Sequence, residues 1–202
     1  MITSRHKALG IAGSPREGGN TDILLAQAMS ALAGQGVQTQ TVFLRDMKIS
    51  PCLHCGGCVK TGECVINDDM QRLYPDLCEA EFVILASPLF FMGVSAQTKA
   101  MIDRCQALWI ANYVLKLPPT PTNRHRKRRG IFICVGGSSP KEAFYPARAT
   151  AKAWFNVLGV AYTGELLVSG VDEKGGIIRH PTALTDARLA GEKLLRREQR
   201  PD

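Results

Sequence analysis

Four thiols, Cys52, Cys55, Cys58 and Cys64, follow one another with C-x2-C-x2-C-x5-C spacing, and Gly56, Gly57 and Gly62 lie among them. The chain has only three other cysteines, Cys78, Cys105 and Cys134, scattered far apart. Soft thiolates so close together in glycine-rich backbone can converge on one metal centre without help from a distant segment. Structural zinc draws its ligands from two Cys or His pairs separated by a dozen or more residues. A third cysteine after only two residues is instead how bacterial ferredoxins wrap three corners of a [4Fe–4S] cube. Cys64 is then the local candidate for the fourth corner. Zinc, and thiols that are redox-active or idle, are the alternatives, and His54 reads as a solvated loop residue.

A second run has its own chemistry. Gly13-Ser14-Pro15-Arg16-Glu17-Gly18-Gly19-Asn20-Thr21 joins an apolar stretch to an amphipathic one, the setting of a strand feeding a helix. Amides at a helix start, with hydroxyls and an arginine beside them, bind phosphate. Asn20 or Thr21 acting simply as a helix cap is the structural alternative. No lysine follows Gly19 to reach a γ-phosphate as in a Walker loop, and G-x-G-x-x-G is missing. A single terminal phosphate, as in flavin mononucleotide (FMN), suits the loop. Pro88-Leu89-Phe90-Phe91-Met92-Gly93 and Gly136-Gly137-Ser138 follow two further apolar strands. The first of these would be poorly placed in water yet suits a flat flavin ring.

The elements that must hold these loops alternate along the chain. Strands are expected over Lys7–Ala12, Val37–Leu44, Phe82–Ala86, Ile131–Val135 and Tyr162–Val168. Helices are expected over Thr21–Ala33, Met70–Cys78, Gln97–Trp109, Arg148–Leu158 and Leu184–Glu198. Such alternation implies an α/β protein with a doubly wound parallel sheet of five strands, order 2-1-3-4-5, and helices on both faces. Ligands of such sheets sit where the strand order reverses, between the loops after the first and third strands. At 202 residues the chain suits one domain, 1–202, with a cysteine-rich loop at 50–66 and a basic connection at 116–129.

Arg124, Arg126, Lys127, Arg128 and Arg129 carry five of the net charge of +7. The run reads as a solvated loop and has no interleaved aromatic residues for a nucleic acid. No apolar run approaches membrane-spanning length, and residues 1–10 lack the apolar core of a secretory signal. Seven cysteines in such a chain point to metal or redox chemistry in the cytoplasm.

GSPREGGNT, SPLFFMGVSAQTKAMIDR and GGSS together resemble the NADPH-dependent FMN reductase superfamily of flavodoxin-like flavoproteins. The cysteine run followed by Asn67-Asp68-Asp69-Met70 is similar to the iron–sulfur flavoproteins within it. The resemblance spans about residues 7–140 and implies that Ser14, Arg16, Asn20 and Thr21 hold the FMN phosphate. It implies that Pro88, Leu89, Phe90, Phe91, Met92 and Gly93 line the ring, with Gly136, Gly137 and Ser138 closing the far side. Cys52, Cys55, Cys58 and Cys64 would hold a [4Fe–4S] cluster. It further implies a homodimer or homotetramer, with a small-molecule or ferredoxin-like electron donor or acceptor, NAD(P)H among the candidate donors. No membrane or nucleic-acid partner is expected.

A flavin carries two electrons and a cluster passes one, so the pair would couple one-electron carriers to two-electron partners. No catalytic triad or carboxylate pair is needed. The rivals are a NAD(P)H-dependent FMN or quinone reductase without a functional cluster, and a flavodoxin-like binding or regulatory protein with zinc in its cysteine loop.

Overall fold

A computed structural model describes residues 6–117, 127–137 and 140–195. Five parallel strands form one sheet in the order β2-β1-β3-β4-β5, as the alternation of elements implied. They are β1 (Lys7–Ala12), β2 (Gln38–Phe43), β3 (Phe82–Pro88), β4 (Arg129–Val135) and β5 (Ala161–Val168). The helices are α1 (Asn20–Gly34), α2 (Met70–Glu79), α3 (Ala96–Arg104), α4 (Gln106–Trp109), α5 (Tyr145–Val157) and α6 (Ala183–Leu195).

Period-two alternation in the central strands divides the core in two. Leu9, Ile11, Val83, Leu85, Phe132 and Cys134 face one side, where they meet residues of α2, α3 and α5. Ala8, Ala12, Phe82, Ile84, Ile131 and Ile133 face the other, against α1 and α6. Strands buried on both faces read as continuous apolar runs because neither face meets water. β2, at the edge, keeps exposed and half-buried positions, which explains its polar sequence. α1 and α6 approach closely because a Cβ at Gly191 would lie 2.4 Å from Ala28 O.

Two departures from the expected elements have identifiable physical causes. The helix expected over Gln97–Trp109 breaks at Cys105, whose amide bonds to Ile102 O in a tightened turn. A π-helical turn, Ile110–Val114, then follows α4. The break frees the last carbonyl of α3, Arg104 O, to accept a hydrogen bond from Tyr74 of α2.

β4 starts two residues earlier than its apolar run, at Arg129. Its amide donates to Glu81 O, and its guanidinium stacks over Phe82, 5.3 Å from the ring centroid. Arg128 is likewise no solvated residue. Its guanidinium donates to Ala80 O (2.8 Å), Leu77 O and Leu158 O. A cation there meets carbonyls left unpaired at the carboxyl ends of α2 and α5. The end of the basic run is thus a helix clamp. Arg124, Arg126 and most of the 116–129 connection lie outside the described residues.

Candidate cofactor site

The parallel sheet delivers the loops after β1, β3, β4 and β5 to one edge, where they line an open crevice. Ser14, Arg16, Asn20, Thr21, Pro88, Leu89, Phe90, Gly136 and Gly137 all line it. Phe91, Met92 and Gly93 do not appear in that lining. They belong to a tight turn in which Phe90 and Gly93 exchange both backbone hydrogen bonds, at 3.0 and 2.9 Å. Phe91 and Met92 take φ of 48° and 64°, which costs a bulky side chain free energy. Phe91 is fully exposed at the tip. Ser138 lies outside the described residues.

The β1–α1 loop is a cradle. Ser14 is buried, and its hydroxyl accepts from Arg16 N and donates to Arg16 O, both at 3.1 Å. Gly19, not Asn20 or Thr21, is the N-cap of α1, and no side chain caps that end. The alternative of a simple capping role for Asn20 or Thr21 therefore falls away, and first-turn amides remain for an anion. A Cβ at Gly19 would come within 2.9 Å of Ser14 Oγ, so only glycine lets the loop close. Asp22 braces the loop from inside α1: it accepts from Gly18 N at 3.1 Å and from Arg45 at 2.8 Å. Burial pushes its carboxyl up, with Arg45 working the other way.

Sequence reasoning missed a fourth wall, Val171, Asp172 and Lys174 after β5. Asn20 fixes it: its Nδ2 donates to Glu173 O at 2.9 Å and its Oδ1 accepts from Ile177 N at 3.3 Å. Asn20 thus ties two loops together across more than 150 residues of chain, a link with no local sequence signal. Gly137 leaves room for Asp172, whose Cβ would be 3.0 Å from an added methyl, and Gly136 leaves room for Leu89. These two glycines let the walls of the crevice pack against one another. The cradle, the uncapped helix and the apolar wall of Leu89 and Phe90 fit a flavin carrying one phosphate.

The cysteine loop leaves the same sheet edge from β2. Cys55 is exposed and Cys52, Cys58 and Cys64 are half-buried. Burial pushes the Cys58 thiol up, a backbone hydrogen bond works the other way, and Cys64, Cys52 and Cys55 add smaller upward pushes. Among the described residues no three His, Cys, Asp or Glu side chains stand close enough to hold a metal ion. The donor set itself, four thiols on one loop, fits a cluster or a thiolate-bound metal. Gly56 and Gly62 take φ of 74° and 76°, a left-handed backbone between successive cysteines that favours glycine. Gly62 also packs under Ala111, leaving no space for a side chain.

The sequence profile of the NADPH-dependent FMN reductase family matches residues 6–167. The chain belongs to that family. Several proteins similar to it are iron–sulfur flavoproteins. It is similar to an iron–sulfur flavoprotein of Methanocaldococcus jannaschii, 42% identical over 52% of this chain and 54% of that one. An iron–sulfur flavoprotein of Archaeoglobus fulgidus is 35% identical over 77% of this chain and 66% of its own length. The matched stretch thus spans roughly half to two thirds of these two relatives. Among solved structures, the Trp repressor binding protein of Bacillus subtilis superimposes with a TM-score of 0.62 at 25% identity, covering 95% of this chain and 99% of that one. Among the described residues of this FMN reductase family member, no helix is long and apolar enough to cross a membrane.

Proposed function

We propose that this protein is an FMN-dependent oxidoreductase in which a [4Fe–4S] cluster on Cys52, Cys55, Cys58 and Cys64 exchanges electrons with FMN. The observation that carries this reading is the shared sheet edge. A phosphate cradle, an uncapped helix and an apolar wall line one crevice there, and the four-thiol loop leaves from the neighbouring strand.

Ser14, Arg16 and Thr21, with the first amides of α1, hold the phosphate. Leu89 and Phe90 cover the ring, and Gly136 and Gly137 let it lie close to the sheet. Asn20 keeps the fourth wall closed over the site. Phe91 and Met92, held at the tip of a strained turn, are placed to meet the far part of the flavin or a neighbouring subunit. When bound, the flavin supplies two-electron chemistry and the cluster one-electron exchange. NAD(P)H or a ferredoxin-like carrier is the electron donor, in a homodimer or homotetramer. The names of the similar proteins support both cofactors.

Anaerobic purification tests the reading. One FMN and about four irons per chain are expected for one cube. Cys58→Ser should keep the flavin and lose the iron. Flavin without iron, with NAD(P)H oxidation that survives Cys58→Ser, would identify a plain FMN or quinone reductase instead. Zinc without flavin would overturn the proposal altogether.

A further inference from the structure

Arg104, the last residue of α3, is 1% exposed. Its guanidinium leaves the helix and enters the base of the cysteine loop. Nη1 donates to Ser50 O at 2.9 Å and to Asp68 Oδ2 at 2.6 Å, and Nη2 donates to Ile66 O at 3.1 Å. Ser50 stands two residues before Cys52 and Ile66 two after Cys64, so one planar group bridges the entry and exit of the loop.

Its neighbours extend the clasp. Asp68 accepts from Ser50 N at 2.9 Å and from Met70 N at 3.1 Å. Gln71 Nε2 donates to Cys64 O and Ile66 O, both at 2.7 Å. Tyr74 donates its hydroxyl to Arg104 O at 2.7 Å. A lysine, a point charge on a flexible stem, cannot address Ser50, Ile66 and Asp68 at once; the rigid fork of an arginine can.

One donor is left over. Arg104 Nε is buried and has no hydrogen-bond acceptor among the described residues. Leaving a buried donor unpaired is costly, and native sites rarely leave one without a role. The thiol beside this guanidinium is Cys64. Asp68, at 2.6 Å, and Cys64 are ionisable side chains in contact with it.

We propose that Arg104 is the positioning residue of the cysteine loop: its fork fixes both ends of the loop, and its spare Nε–H donates to the sulfur of Cys64 when the thiols hold an anionic centre. The proposal rests on reading the four thiols as ligands, and adds how the loop keeps its shape before any centre arrives. A hydrogen bond to a ligating sulfur favours the more negative, reduced state, so it raises the potential of the centre.

Arg104→Lys and Arg104→Gln test it, with FMN content confirming that each variant folds; Arg104→Lys, which keeps the charge, serves if Arg104→Gln does not fold. In the metal-free protein, hydrogen–deuterium exchange at the Ser50 and Met70 amides should quicken at least tenfold in both variants. After anaerobic reconstitution with iron and sulfide, iron per chain should fall. The midpoint potential of the remaining cluster should drop, further in Arg104→Gln than in Arg104→Lys. Wild-type exchange rates would overturn the clasp, and an unchanged potential would overturn the sulfur donor.

If the wild-type protein takes up no iron, the cluster reading fails by itself, and the exchange rates still decide the clasp. Titration with Zn2+ then replaces iron. At least tenfold weaker zinc binding is expected in both variants, the scale on which groups behind metal ligands act, and equal affinity would overturn the donor.

Discussion

Replacing Gly19 by alanine should separate recognition of the phosphate from binding of the flavin ring. Gly19 caps α1 with φ −69° and ψ 170°, a conformation any residue adopts, so the backbone itself is not strained. The added Cβ would lie 2.9 Å from Ser14 Oγ and 3.0 Å from Arg16 O. Neither atom retreats freely. Ser14 is buried, and its hydroxyl bonds both the amide and the carbonyl of Arg16 at 3.1 Å. The turn must open, carrying the hydroxyl and Arg16 away from the phosphate together. Losing one hydrogen bond to a charged group costs about 1.5–3 kcal/mol, roughly a 10- to 150-fold rise in the Kd for FMN. Opening the turn also gives up the two Ser14–Arg16 hydrogen bonds, so stability should fall by roughly 1–3 kcal/mol, at about 0.5–1.5 kcal/mol for each bond.

Fluorescence titration of flavin-free protein with FMN and riboflavin in parallel is the assay. Riboflavin lacks the phosphate, so its affinity should be unchanged. Equal losses for the two ligands, or unaltered FMN binding, would refute the assignment of the β1–α1 loop to the phosphate.

Arg128→Met should remove the cation that joins the ends of α2 and α5. Stranding buried carbonyls at about 1–3 kcal/mol each, partly relieved by water, predicts a loss of roughly 2–4 kcal/mol. Calorimetry should show Tm lower by about 4–16 °C for a domain of this size, with FMN affinity intact. Burial pushes the Cys105 and Cys134 thiols from 9.0 up to about 12. Unfolded thiols ionise first, so the stability these groups contribute is present below pH 9 and falls as pH rises from 9 towards 12. Urea midpoints across that range should show the slope, and Cys105→Ala with Cys134→Ala should flatten it.

Much of this architecture was legible locally. Continuous apolar runs at β1, β3 and β4 announced strands buried on both faces, and the glycine loop announced a strand-to-helix turn. The cysteine spacing needed no fold at all to suggest a thiolate centre. The breaks were harder to read, because they answer to distant partners. Cys105 interrupts a good helical pattern where α3 must present a carbonyl to Tyr74. Arg128 and Arg129, which look like the end of a solvated basic run, are held by helix ends and by Phe82, far away in sequence.

Sequence by itself determined which groups are available: four soft thiols, a loop of hydroxyls and glycines, an apolar run, and the periodicities that make strands and helices. Those are properties of residue type and short spacing, and they survive without a partner. Only tertiary structure decided which groups meet. It brought Asp172 and Lys174 to the crevice after β1 and β3 through Asn20, turned Phe91 outward on a strained turn, and drove Arg104 beneath the cysteine loop. Each depends on contacts between segments far apart in the chain. Burial then gives those contacts their strength, because a charge or donor removed from water must be paired where it lies.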